Sequence, residues 1–72
     1  MTTLKVGVFG VGNSWKMYRE DARALSFDQR PDAVEAALDA ARGALGRGVD
    51  VELYVQGLDG EVRRIDPQIL VQ

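Results

Sequence analysis

The fold of this chain is decided by residues 5–15, which read KVGVFGVGNSW in a sequence of 72 residues. Leu4, Val6 and Val8 alternate with Lys5, Gly7 and Phe9 at the period of two that is typical of a β-strand. Two interpretations of the glycines that follow are open. They form either a dinucleotide-binding loop between a strand and a helix, or the connection of a β-hairpin.

A dinucleotide-binding loop needs G-x-G-x-x-G between a strand and a helix, so that the backbone can approach a pyrophosphate. Gly10 and Gly12 fit this pattern, but Trp15 stands where the third glycine should be. Residues 16–19, KMYR, alternate as a strand does, and no helix begins where a phosphate would need one. We therefore predict a hairpin, with residues 10–14 as an exposed connection and Trp15 as a core anchor of the second strand.

One helix is predicted from Pro31 to about Leu45. Proline suits the first turn, and apolar residues recur at the three-and-four spacing of one buried face, at Val34, Ala37, Leu38, Ala41 and Leu45. Small side chains widen this stripe at Ala33, Ala36, Ala40 and Ala44 and let the helix approach a sheet closely. The alternative is a helix-helix seam between two copies. Packing on the chain's own sheet is favoured because one helix accompanies an otherwise uncovered sheet.

The remaining segments are predicted strands. Residues 25–27 form a short third strand that brings Phe27 to the core, and residues 49–55 have the clearest alternation. Gly60 takes the left-handed position of the next turn, and the last strand spans residues 61–65. Val62 and Ile65 differ in parity there, so we expect a bulge or one of the two on the outer face.

These elements predict an α+β fold in the order β-β-(β)-α-β-β. Its sheet is mainly antiparallel, and one helix packs on one sheet face. We expect a single domain over residues 1–72, with a tail at 68–72 that docks or frays.

Composition limits the classes of function. The chain has 46% hydrophobic and 28% charged residues, as folded globular proteins do. Its net charge is -2, and its sequence lacks the blocks of like charge found in dedicated nucleic-acid or membrane binders. It contains no cysteine and no histidine, so thiolate and histidine chemistry are excluded. Without a signal peptide or a long apolar run, we expect a cytoplasmic protein that does not bind membranes.

Catalytic residues, cofactors and metals are not predicted. Carboxylates pair at Asp32 with Glu35, at Glu35 with Asp39, and at Asp50 with Glu52, all on surfaces expected to be solvated. Without a pocket that removes water, nothing raises a carboxylate pKa toward neutrality for acid-base work. We therefore predict that the protein is not an enzyme.

A binding face is predicted on the outer side of the sheet. Its rings and cations are Lys16, Tyr18, Tyr54, Arg63 and Arg64. Such a mixture can bind single-stranded nucleic acid by stacking and phosphate contacts. The alternative is that Arg63 and Arg64 pair across the hairpin with Asp50 and Glu52, which stabilises a sheet by roughly 0.2 to 1 kcal/mol per pair.

A family resemblance rests on four features of the sequence. These are Trp15 in the second strand, Ser26-Phe27 before the helix, the alanine-rich helix with Ala40-Ala41-Arg42, and the segment V-x-L-x-V-x-G-x-D-G-x-V at 51–62. Over residues 6–66 the chain resembles the small bacterial proteins grouped as domain of unknown function 2188. It departs from their pattern at Gln29, where a capping threonine is usual, and in a longer connection at 46–48.

The resemblance implies a stand-alone prokaryotic cytoplasmic protein and transfers no catalytic residue. The element order is also similar to the truncated ribonuclease-H-like domains of some antitoxins, at the level of fold alone, and the strands lack the acidic pattern of true nucleases.

The leading functional hypothesis is a non-enzymatic protein-interaction or self-association module, acting through its uncovered sheet face or an unpaired edge strand. Its partner would be an unidentified protein or a second copy in a homodimer. The alternative hypothesis is a weak nucleic-acid-binding protein that uses Lys16, Tyr18, Tyr54, Arg63 and Arg64.

Overall fold

The computed structural model of the protein describes residues 3–66. Its elements are β1 (Thr3–Val11), β2 (Ser14–Arg19), β3 (Leu25–Phe27), α1 (Arg30–Gly46), β4 (Asp50–Gln56) and β5 (Val62–Ile65). The predicted α+β class and the order of elements are confirmed, including the short third strand. The predicted tail at 68–72 lies outside the described residues.

The five strands form one sheet in the order β3-β2-β1-β4-β5. Neighbouring strands are antiparallel except at the centre, where β1 and β4 run parallel. A parallel pair needs a long crossover, and the chain between β3 and β4 supplies it as α1. The helix packs against β1, β2, β3 and β4, and this places it on one face of the sheet.

The first hairpin is tighter than predicted. β1 continues to Val11 and β2 begins at Ser14, so the turn consists of Gly12 and Asn13 rather than all of residues 10–14. Gly12 has a φ of +59° while Asn13 stays at negative φ, as in a type II′ turn. Such a turn matches the twist of the two strands, which lets Gly10 remain paired with Trp15. The prediction of an antiparallel hairpin is confirmed, and the predicted loop length is wrong.

The core lies between the sheet and α1. The strands contribute the buried side chains of Leu4, Val6, Val8, Met17, Leu53 and Val55. From the helix, Ala33, Ala37, Ala41 and Ala44 are all 0% exposed, whereas Val34 and Leu38 are half-buried beside them. The small side chains therefore form the centre of the contact and not only its margins. Because alanine ends at Cβ, the helix backbone can approach the strands closely.

The last hairpin confirms two expectations. Gly60 adopts a φ of +87° in the turn. Val62 lies opposite Gln56 and Ile65 opposite Leu53. Because successive residues of a strand point to opposite faces, Ile65 faces the helix and Val62 faces away from it.

Candidate functional site on the open sheet face

The sheet face away from α1 is named here the open face. Its strand residues alternate with those of the core and are Thr3, Lys5, Gly7, Phe9 and Val11 of β1, Ser14, Lys16 and Tyr18 of β2, Ser26 of β3, Asp50, Glu52, Tyr54 and Gln56 of β4, and Val62 and Arg64 of β5. No described element packs over this face, since the one helix in residues 3–66 covers the other. The open face is therefore the surface to search for binding.

Three aromatic rings gather at the centre of the open face. Tyr18, Gly7 and Tyr54 lie side by side across β2, β1 and β4. Gly7 has no side chain, and the ring of Phe9 lies over it, so that a Cβ there would be 2.3 Å from Phe9 Cε2. The rings of Phe9 and Tyr18 are 5.7 Å apart between centroids and tilted by 57°, an attractive geometry for aromatic pairs. A glycine in the central strand thus makes room for an aromatic cluster.

A shallow hollow of about 300 Å³ lies beside the cluster. Its apolar wall includes Phe9, Tyr18 and Tyr54, and its polar side includes Lys5 and Glu20, which follows β2. Tyr18 is 41% exposed, and the apolar side chains of Val11 and Val62 on the same face are 47% and 48% exposed. Exposed apolar groups gathered within a polar rim are typical of interaction sites.

Charged residues divide the open face along its strands. Glu52 lies opposite Lys5, and Asp50 opposite Thr3, at the end of the sheet where β1 and β4 begin. Glu20 lies at the same end, since its backbone N–H donates to the carbonyl oxygen of Lys5 at 3.3 Å. This acidic end therefore carries three carboxylates and one ammonium group.

The cations lie farther along the strands. Lys16 is opposite Phe9, beyond the Tyr18–Gly7–Tyr54 row, and Arg64 is opposite Tyr54 in that row. The aromatic cluster thus separates the acidic end from Lys16.

Two hydrogen bonds hold the carboxylates beside the cluster. The backbone N–H of Lys5 donates to Glu20 Oε1 at 2.9 Å, and the hydroxyl of Tyr54 donates to Glu52 Oε1 at 2.9 Å. The second bond also fixes the orientation of the Tyr54 ring. These carboxylates are consequently placed at fixed points on the open face.

The structure brings together Lys16, Tyr18, Tyr54 and Arg64 of the predicted binding face, but not Arg63. Arg63 lies opposite Val55, a core residue, and therefore belongs to the helix side of β5. Its guanidinium donates to Asp59 at 3.2 Å and to Glu61 at 2.9 Å, and not to a carboxylate of β4. Placing Arg63 on the binding face was wrong, because adjacent residues of a strand cannot share a face.

The sequence-based prediction missed Phe9 and Lys5 as members of the site. Both lie two residues from Gly7 in β1 and so face the same side of the sheet, as the alternation in the sequence already indicates. What the sequence does not show is that the Phe9 ring folds back over Gly7.

Trp15 has a structural role on the opposite side of the sheet. It is half-buried and packs against the core, as predicted, and the Arg30 guanidinium lies 5.9 Å from its ring centroid. Arg30 Nε also donates to the carbonyl oxygen of Gln56 at 3.0 Å, and Gln56 Oε1 accepts the N–H of Gly10 at 2.7 Å. These contacts join the start of α1 to the ends of β1 and β4.

Shifted carboxyl groups lie away from the open face. The backbone N–H of Glu61, followed by the Arg63 guanidinium, holds the pKa of Asp59 below its ordinary value. The hydrogen bond from Arg19 similarly lowers the pKa of Asp21. Both groups stabilise turns next to strand ends.

Within residues 3–66, no cluster of three or more histidine, cysteine, aspartate or glutamate residues is placed to hold a metal ion. In that same part of the chain, no helix has the length and apolar character needed to cross a membrane. No family model, curated protein or solved structure matches the chain. The resemblance to domain of unknown function 2188 therefore stays a prediction.

Proposed function

We propose that the protein is a non-enzymatic interaction module that binds a protein partner through the open face. The observation that carries this proposal is the cluster of Phe9, Tyr18 and Tyr54 around Gly7 on the uncovered side of the sheet. Aromatic side chains are enriched at the centres of protein interfaces, where they supply a large part of the binding energy.

The aromatic cluster is separate from the core that supports folding. The fully buried strand side chains of Val6, Val8 and Leu53 all face α1. When a partner covers exposed apolar area such as that of Tyr18, its removal from water is favourable by roughly 25 cal/mol per Å². The rings are therefore better accounted for by contact with a partner than by the stability of the isolated chain.

The hollow beside the rings does not favour catalysis. The carboxylate in the hollow is that of Glu20, which is exposed and accepts a hydrogen bond from the backbone N–H of Lys5. An acid or base group near neutral pH needs burial or a close like charge to tune it. Binding without chemistry is the simpler use of this surface.

Single-stranded nucleic acid is the second candidate ligand for the open face. Bases can stack on the three rings, and Lys16 and Arg64 can contact phosphates. Against this candidate, the carboxylates of Glu20 and Glu52 lie beside the same rings, with Asp50 farther along β4, and all three repel a phosphate backbone. A protein partner fits the mixed charges better.

A photo-crosslinking amino acid introduced at Tyr18, in the cells that make the protein, tests the proposed function. The matched control carries the same group at Glu35, which is exposed on α1. We expect cross-links to protein from position 18 and far fewer from position 35. Equal yields at the two positions, or none at position 18, would overturn the proposal.

A titration with single-stranded oligouridylate at low salt tests the second candidate. Binding that weakens with salt and is lost in Lys16→Glu would favour nucleic acid and contradict the protein-partner proposal. We expect no salt-sensitive binding.

A further inference from the structure

The charges of the open face are arranged along β2 with opposite signs on either side of Tyr18. Lys16 lies two residues before this ring in β2, and Glu20, which follows β2 two residues after the ring, lines the same hollow as Tyr18. Along β1, Phe9 and Lys5 lie in the same way on either side of Gly7. Lys16 and Glu20 thus carry opposite charges at equal distances from the central row, in which Arg64 lies.

We propose that a second copy of this chain covers the open face, with a two-fold axis that crosses the strands at the level of Gly7. This inference rests on the proposed function of the open face. The rotation reverses the strand direction, so that Lys16 of each copy faces Glu20 of the other. The ring of Phe9, which lies over Gly7, then faces the same ring of the other copy, and Tyr18 likewise faces Tyr18.

A two-fold axis along the strands fits the charges less well. It preserves the strand direction and therefore stacks the acidic end of one face, with Asp50, Glu52 and Glu20, on the acidic end of the other. Like charges opposed in an interface oppose association. On the described strands the antiparallel arrangement opposes like charges at Arg64 alone, which lies in the row at the axis, so the charge pattern favours it over the parallel one. Its contact between Lys16 and Glu20 occurs twice, as a two-fold interface requires.

Pairing through edge strands is the competing way to join two copies. The edge strands β3 and β5 have three and four residues, so each offers few backbone groups to a neighbour. The open face, in contrast, offers rings, apolar side chains and both signs of charge. Face-to-face packing therefore uses more of what the chain exposes.

The size of the face is that of weak, transient interfaces. Five strands about 4.8 Å apart span roughly 20 Å, and six residues along a strand span about the same, which gives a footprint of about 400 Å² per copy. The sum for two copies lies below the ~1,200 Å² that separates standard interfaces from weak ones. The dimer should be reversible, with a dissociation constant between about 10 µM and 1 mM.

Sedimentation equilibrium of the full chain, up to about 1 mM, tests the arrangement across that range. We expect a monomer-dimer equilibrium that Lys16→Glu and Glu20→Lys each weaken by about tenfold. In the double variant the two charges are exchanged in both copies, so dimerisation should return toward the level of the original chain. Glu35→Lys, a charge reversal on the exposed side of α1, is the control and should leave dimerisation unchanged.

Each outcome bears on the inference separately from the proposed function. A chain that stays monomeric at every concentration overturns the second-copy inference, while cross-links from position 18 to another protein would still support the proposed function. A dimer that ignores both single reversals, or one that the double variant fails to restore, contradicts the antiparallel arrangement. Restoration by the double variant also shows that the single variants had not simply unfolded.

Discussion

The ring of Phe9 occupies the space above Gly7 that a side chain would otherwise fill, since a Cβ at Gly7 would lie 2.3 Å from Cε2 and 2.9 Å from Cζ of that ring. This contact joins a backbone feature of the central strand to the surface chemistry of the open face. Tyr18 and Tyr54 flank Gly7 in register, so the same glycine leaves the space in which the Phe9 ring pairs with that of Tyr18.

Gly7→Ala should displace the Phe9 ring and leave the fold intact. The clashing atoms belong to the far end of a flexible side chain, and alanine is itself favoured over glycine within a strand by roughly 0.5–1 kcal/mol, so we expect a net change in unfolding free energy within about 1 kcal/mol. Nuclear Overhauser effects between the Phe9 and Tyr18 rings should be lost. Gly46→Ala, with open space around it, is the control and should retain them. Unchanged ring contacts in Gly7→Ala would contradict the role given to Gly7.

Ala37→Leu should destabilise the protein by about 1–3 kcal/mol, because it forces extra atoms into the close contact between α1 and the sheet. Ala37 is 0% exposed. Ala40→Leu makes the same chemical change at a half-buried position and should cost less than about 1 kcal/mol. Denaturant unfolding measures both. Equal effects at the two positions would mean that the alanines do not form the centre of the helix contact.

Gly60→Ala should lower the unfolding free energy by about 1 kcal/mol or more, since Gly60 has a φ of +87° that residues with a Cβ avoid. Gly46→Ala again provides the comparison, because Gly46 is helical and has no positive φ. That control should be neutral or stabilising. Thermal unfolding in which both variants melt alike would show that the turn tolerates a side chain.

Acid should weaken the β4–β5 turn. The Asp59 carboxylate accepts the N–H of Glu61 at 3.1 Å, and this bond together with Arg63 lowers the Asp59 pKa in the folded chain. The unfolded chain then binds the proton more readily, so this stabilisation is complete well above the ordinary pKa of about 3.9 and is lost as the pH falls through the folded pKa.

Titration of the Asp59 carboxyl by NMR measures this directly, with an unfolded peptide of residues 56–63 as reference. We expect a lower pKa in the folded chain and a flatter acid dependence of unfolding in Asp59→Asn. If the pKa of Asp59 is the same in the folded chain and in the peptide, this prediction is wrong.

The two faces of the sheet were predictable from alternation alone. Lys16, Tyr18 and Tyr54 were placed correctly because parity within a strand determines the face, whatever the neighbouring strand. The same rule excludes Arg63 and Arg64 from sharing a face, and this is why the placement of Arg63 on the binding face is wrong. The short turn at Gly12 is harder to predict from the sequence, because strand ends depend on pairing between strands.

The ring cluster could not be derived from the sequence. It depends on the parallel register of β1 with β4, which brings Tyr54 beside Gly7 from 47 positions away in the chain. Hydrophobic periodicity fixes which side a residue faces but not which residue stands opposite it. The contact between Phe9 and Gly7 is likewise a property of side-chain packing.

NMR amide shifts recorded from about 20 µM to 1 mM give the most direct test that a second copy covers the open face. We predict that the signals of Gly7, Phe9, Tyr18 and Tyr54 move together with concentration, while those of Glu35 and Asp39 on the exposed side of α1 stay fixed. Shifts confined to α1, or spectra that do not change with concentration, would contradict it.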